Sequence, residues 1–281
     1  MKEWPALDVR GFEWADAILA FVDDFSPTAV DSYESAIRIF FSTTEQRNAA
    51  QSALQAAGFL TAAHEICDDD WARRSQEDLG PVTIGRVTVA PPWAPSHPQP
   101  ATSTQPPATV IIQPSMGFGT GHHATTRLCL AALQEIDLVG ASVLDLGTGS
   151  GVLAIAASLL GAAQAVGIDS DADAIDSARQ NLALNPGAHG VTFAIGEIEN
   201  LDRRQADLVT ANLTSALLVR AAARLIGAVR PCGKLILSGL LVDERRAVLD
   251  AFEGLRPIWE GREDEWVAVA LHRSPNDAKR S

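Results

Sequence analysis

Four groups of residues have types and spacings that could hold a nucleoside and a small transferable group. Residues 142–151 read SVLDLGTGSG: a short apolar strand, an acid at Asp145, then Gly147, Gly149 and Gly151. Glycines let a turn take positive φ and approach a ligand closely. The helix expected over 152–160 would offer its free amide groups there. Asp169 closes the apolar run 165–168, where an acid can accept from both ribose hydroxyls. The same logic holds in dehydrogenases, so Asp169 supports a nucleoside cofactor without choosing which, and a helix cap from Asp169 or Asp171 is its plainer role. Glu197 follows the run 191–195, where an acid could meet the adenine amino group; Glu197 or Glu199 can equally be a solvated loop charge. Asn212 follows the run 207–211, at the strand end where ligands of open α/β sheets sit, and an asparagine turn is the alternative.

A second glycine-rich stretch lies just upstream. Residues 109–126 read TVIIQPSMGFGTGHHATT, an apolar strand (110–112), a loop with Gly117, Gly119 and Gly121, and a helix (122–136) that opens beside Thr125 and Thr126. Two such loops in close succession need a reason beyond connection. The dinucleotide fingerprint would put its third glycine at position 152, where Val152 stands, which opposes a nicotinamide-dependent oxidoreductase.

The elements that must position these groups alternate strand and helix, as a doubly wound parallel sheet requires. The short apolar strand that opens 142–151 and strands at 165–168, 191–195, 207–211 and 234–238 alternate with helices such as 215–229. A turn, RPCG (230–233), leads into the fifth strand, and runs around 255–259 and 266–272 would close the sheet antiparallel. Residues 2–66 carry a different order: strand (4–9), helix (13–23), brief strand (28–30), strand (36–41), helix (46–57, capped by Thr43 or Thr44) and strand (59–66). That is a ferredoxin-like order. The domains expected are thus 1–66 (ferredoxin-like, substrate recognition), a linker over 67–108, a catalytic domain over 109–273, and a disordered tail over 274–281. Within the linker, 82–90 alternates as a possible strand, and 91–107, rich in proline, serine and threonine, cannot bury enough apolar surface to order itself.

Composition narrows the function classes. The chain has 281 residues, 47% of them apolar, enough for a sizeable core. No run of about 18 apolar residues exists and residues 1–10 carry charges, so neither a membrane span nor a secretory signal is expected; the reading is cytoplasmic. Cys67, Cys129 and Cys232 lack CxxC spacing and the histidines lack metal-ligand spacing, so no metal is expected. A net charge of −13 argues against direct nucleic-acid binding and favours a basic partner. The first 66 residues concentrate this, with ten acids against four bases. Composition does not give the oligomeric state, with a monomer favoured.

The GxGxG spacing preceded by Asp145 resembles that of S-adenosylmethionine (SAM) methyltransferases. Phe118, Gly119, Thr120 and Gly121, with His123, Thr125 and Thr126, resemble more sharply the FGTGxHxTT loop of the methyltransferases that modify protein eleven of the large ribosomal subunit. Asp70-Trp71, Pro92-Trp93 and the amino-terminal order extend the likeness over nearly the whole chain. The chain departs from the family pattern at Gln113-Pro114-Ser115, where Asp-Pro-Gly is usual, at Gly117, where alanine is usual, and at Thr148, where cysteine is usual. The resemblance implies a class I, Rossmann-like methyltransferase domain and S-adenosyl-L-methionine as cofactor. It assigns cofactor binding to Phe118, Gly119, Thr120, Gly121, Thr125, Thr126, Asp145, Gly147, Gly149, Asp169, Glu197 and Asn212, with Asn212 also catalytic. It implies a basic protein substrate, a large-subunit ribosomal protein modified on lysine side chains or its N-terminus. The alternatives are another acceptor on the same cofactor domain, or a SAM-binding module without turnover.

Overall fold

The computed structural model describes residues 3–10, 18, 22, 25, 27–33, 36–67, 80–94, 107–114, 123–201 and 204–275. The chain divides into two compact units, Met1–Asp78 and Leu79–Ser281.

In the first unit, β1 (Glu3–Arg10), β2 (Pro27–Tyr33), β3 (Ala36–Phe41) and β4 (Thr61–Cys67) form an antiparallel sheet in the order β2-β3-β1-β4. This is the ferredoxin-like arrangement expected from the order of elements, with β2 longer than the sequence suggested. Alternate residues Leu7, Val9, Ile37, Ile39 and Phe41 face a core completed by Ala50 and Leu54 of the helix Thr44–Ala56. That helix starts at a reciprocal capping box: Gln46 N donates to the Thr43 hydroxyl at 3.2 Å, while Thr43 N donates to the Gln46 side chain at 3.1 Å. The helix expected over 13–23 lies mostly outside the described residues; Ile18 and Val22 within it are helical and buried.

In the second unit the described residues form two sheets. The small one joins β5 (Val82–Ile84), β6 (Val87–Ala90) and β7 (Ala108–Ile111). Part of the segment expected to be a linker is therefore built into this unit. The reason is its β-branched alternation: Val87 and Val89 bury completely against the core, and Gln134 clamps the hairpin by accepting from Arg86 N at 2.8 Å and donating to Ile84 O at 2.9 Å. Residues 95–106 of the proline-rich stretch and 276–281 of the tail lie outside the described residues.

The large sheet comprises β8 (Ser142–Leu146), β9 (Gln164–Asp169), β10 (Val191–Ile195), β11 (Ala206–Asn212), β12 (Val229–Leu241), β13 (Leu255–Glu263) and β14 (Trp266–Arg273), in the order β10-β9-β8-β11-β12-β14-β13. The first five are parallel, and β14 and β13 close the edge antiparallel. The residues of the RPCG turn belong to β12, with Cys232 at φ 65. Both faces are buried: Val143, Leu208, Ile236 and Ala270 belong to one core, while Leu144, Val209, Leu235 and Val269 belong to the other. Hence the strands read as nearly continuous apolar runs rather than as alternation. The helices Ala124–Gln134 and Val152–Leu159 supply the first core, and the helix Ser215–Ala228 and the short helix Arg245–Ala251 supply the second.

Candidate active site

The carboxyl ends of β8 to β11 lie side by side, because the registers pair Leu146 with Ile168 and with Ala211, and Asp169 with Ile195. Gly147, Asp169, Glu197 and Asn212 therefore share one edge of the sheet. The direction of strand progression reverses between β8 and β11, so Gly147 and Asn212 flank the switch point, where open sheets bind ligands.

The turn after β8 needs its glycines. Gly147, Gly149 and Gly151 have φ of 70°, 50° and 81°, all left-handed. A Cβ at Gly147 would lie 2.4 Å from Leu213 Cδ2, and one at Gly151 would lie 2.6 Å from Phe193 Cζ. The turn folds back on β9, with the amides of Gly147 and Thr148 donating to the Ile168 carbonyl at 2.9 and 3.1 Å. The Asp169 carboxylate then locks it by accepting from Gly149 N at 2.9 Å and from Asp171 N at 3.1 Å. Each carboxylate oxygen keeps a further lone pair for an outside donor. Asp169 is not the cap of the next helix: Asp171 is, accepting from Asp173 N at 2.9 Å to start Ala172–Ala183. The helix Val152–Leu159 opens at Gly151, which supplies no side-chain cap; the Ala154 amide donates to the Asp145 carboxylate, and the positive end of the dipole with the earlier amides faces the turn.

Asp145 lies behind the turn rather than at its surface. It is 1% exposed beneath the turn, and its two oxygens accept from the hydroxyls of Thr148 and Thr210, each at 2.6 Å. Burial raises its pKa, against the opposing effect of those two hydroxyls. Its place is to hold the turn from below. Thr148, the residue that departs from the family's usual cysteine, supplies one of these bonds. Glu197 is exposed and opens a single 3-10 turn, Ile198–Asn200, without capping it through its side chain.

The helix expected from residue 122 begins at Ala124. His123 is its N-cap, its Nδ1 accepting from Thr125 N at 3.3 Å. Thr125 and Thr126 sit in the first turn, both buried. Thr125 Oγ1 lies 2.8 Å from His123 Nδ1 and accepts from Asn212 Nδ2 at 3.3 Å. The Thr125 carbonyl accepts from the Ser238 hydroxyl at 3.1 Å, and Leu213 N donates to the Ser238 carbonyl at 3.0 Å. Phe118, Gly119, Thr120 and Gly121 lie outside the described residues.

Sequence reasoning missed a pair of buried asparagines. Asn181 Nδ2 donates to the Ser150 carbonyl at 2.9 Å, and its Oδ1 accepts from Gln113 N at 2.8 Å. Asn185 brackets Ile111, accepting from its amide at 2.8 Å and donating to its carbonyl at 2.7 Å. Together they bind the glycine turn to the end of β7, the strand that leads toward the second glycine-rich stretch. The available signal was two amides four residues apart on a helix face that should be apolar.

The donor set fits a zwitterionic nucleoside. Open helix amides suit a carboxylate, Asp169 suits a ribose diol, and Asn212 stands where a transferable group would lie. Among the described residues no cluster of His, Cys, Asp or Glu could hold a metal ion. Cys129, behind the site, is no nucleophile, since burial pushes its thiol up to about 12.

Comparison with known proteins gives the family and the fold. The family model for ribosomal protein L11 methyltransferase (PrmA) matches residues 19–274. A ribosomal protein L11 methyltransferase of Pseudomonas paraeruginosa is 38% identical over 258 residues, covering 90% of this chain and 85% of the relative. One from Deinococcus radiodurans is 40% identical over 223 residues, covering 75% of this chain and 80% of the relative. Among solved structures, a ribosomal protein L11 methylase from Lactobacillus delbrueckii subsp. bulgaricus superposes with a TM-score of 0.60 at 24% identity, covering 70% of this chain and 98% of that one, which speaks for the fold.

Proposed function

Because this chain belongs to the ribosomal protein L11 methyltransferase family, a family of SAM-dependent enzymes, we propose that it methylates amino groups, lysine side chains or the N-terminus, of ribosomal protein L11. The observation that carries the reading is the convergence of Gly147, Asp169 and Asn212 on neighbouring strand ends at the switch point of the sheet.

SAM supplies a methyl carbon on a sulfonium, open to in-line displacement by a neutral amine. In this reading the glycine turn and the helix end hold the amino-acid part, and Asp169 accepts from the ribose hydroxyls. Glu197 faces the base, and Asn212 meets the acceptor nitrogen. A lysine ammonium has an ordinary pKa of about 10.4 and must lose its proton before it can attack. Removal from water favours the neutral amine, and a carbonyl oxygen such as that of Asn212 can accept a hydrogen bond from it and aim its lone pair. Holding donor and acceptor about 3 Å apart in line can contribute roughly 7 to 11 kcal/mol without a dedicated base.

The amino-terminal unit, with its acidic excess, is assigned to recognition of the basic substrate. Among the described residues no helix is long and apolar enough to cross a membrane. We place the enzyme in the cytoplasm, with its ribosomal substrate. Incubating the full-length protein with labelled SAM and purified L11 should label L11 at amino groups, located by peptide mass analysis. The association part of kcat/KM should fall as salt rises, as an acidic docking face requires. Unlabelled L11 with efficient labelling of another lysate protein would move the acceptor elsewhere.

A further inference from the structure

The contacts behind Asn212 form a directional chain. His123 Nδ1 accepts the Thr125 amide hydrogen to cap its helix, so that nitrogen must carry a lone pair and the ring is protonated at Nε2. With Nδ1 an acceptor, the 2.8 Å contact with Thr125 Oγ1 is met by the hydroxyl donating to the same Nδ1 lone pair, which it shares with the Thr125 amide. The hydroxyl's lone pairs then face Asn212, which must present its NH2 group, as the 3.3 Å contact from Nδ2 has it. The amide of Asn212 therefore cannot be turned over without losing this bond. Two further contacts hold the chain in place. Ser238, fully buried, donates to the Thr125 carbonyl, and Trp266 meets the His123 ring edge-on at a centroid distance of 5.0 Å.

We infer that His123 and Thr125 are positioning residues for methyl transfer: the helix cap fixes the imidazole tautomer, the tautomer fixes the threonine hydroxyl, and the hydroxyl turns the Asn212 carbonyl oxygen toward the acceptor amine. The inference rests on the methyltransferase reading above, and deepens it by assigning the orientation of the Asn212 amide to His123 and Thr125. A reversed amide would offer the incoming amine an N–H in place of an acceptor, so the chain acts on the acceptor step.

The test uses full-length protein, L11 as acceptor, and Thr125→Val, which removes the hydroxyl at nearly constant shape. Thr125→Val should lower kcat about tenfold to a hundredfold while KM and Kd for SAM change less than about threefold. Thr125→Ser, which keeps the hydroxyl, should retain activity within about threefold of the wild type. In an Asn212→Ala background, Thr125→Val should cost little more, because the two residues act as one. Nitrogen-15 shifts of the His123 ring in the ligand-free protein should show Nδ1 unprotonated and Nε2 protonated. Several results would overturn the inference: a protonated Nδ1, a rise in SAM KM at unchanged kcat, failure of Thr125→Ser to rescue, or a full additive cost in the double variant. A wild-type protein inactive on L11 would instead overturn the acceptor assignment, and the ring tautomer would still be read independently.

Discussion

The two ends of the large sheet use an aspartate each in nearly the same way and to opposite purpose. At the amino ends of the strands, Asp207 accepts from Ser142 N at 2.9 Å, from Ser142 Oγ at 2.6 Å and from Arg230 at 2.9 Å, stapling β8, β11 and β12 together. The Ser142 hydroxyl, with Arg230 beside it, holds its carboxyl well below the usual range, at about 2. At the carboxyl ends, Asp169 accepts from two backbone amides, but among the described residues no cation pairs with it, and beside it the turn runs through three left-handed glycines. One end spends its polar groups on itself, and the other keeps some in hand. The difference is geometric: the parallel strands diverge into separate loops at their carboxyl ends, where the reversal of strand progression opens a crevice.

Breaking the binding end should have the largest effect. Gly147→Val would force a β-branched residue to φ 70 and drive its Cβ into Leu213, so SAM affinity should fall roughly a hundredfold or more by calorimetry. Unchanged affinity with a native circular dichroism spectrum would move the cofactor off this turn. Asp169→Asn should be milder, because one acceptor oxygen is lost while the strands stay paired. A loss of about 1.5 to 3 kcal/mol in SAM binding, with the thermal midpoint nearly kept, is expected. Unfolding instead would make Asp169 a structural residue and erase the contrast.

The smallest effect belongs to the stapling end. Asp207→Asn should leave SAM affinity unchanged and cost below about 1 kcal/mol of stability, since the pair with Arg230 is largely exposed. The folded pKa of Asp207 lies below its ordinary value of 3.8, so its contribution is present above about pH 4 and is lost as pH falls toward 2. Denaturation of the two proteins should therefore differ at pH 6 and converge near pH 2. A difference that persists at pH 2 would show that packing, not charge, carries the staple.

Particular elements show how far the chain could be read directly. Residues 36–41 and 191–195 form strands with the boundaries their apolar runs suggest, and Thr43 caps its helix through a box written in the local sequence. The glycine turn was legible because positive φ leaves few alternatives to glycine. The burial of Asp145 was not legible: an acid two residues before a glycine turn looks the same in sequence whether it faces a ligand or lies beneath the turn. The Thr210 hydroxyl that satisfies it comes from a strand 65 positions away. Asn181 and Asn185 were missed for the same reason, since their partners at Gln113 and Ile111 are distant in sequence.

The sequence by itself determined what depends on neighbours along the chain: the alternation of elements, the caps, the turns that need glycine, and the excess of acid in the first unit. Only the tertiary structure decided which polar groups are used up and which remain. Asp207 with Arg230, Asp169 with Gly149 and Asn212 with Thr125 are joined by strand order and register. A hydrogen bond between distant residues is specified by the positions both reach after folding, not by the local pattern around either one.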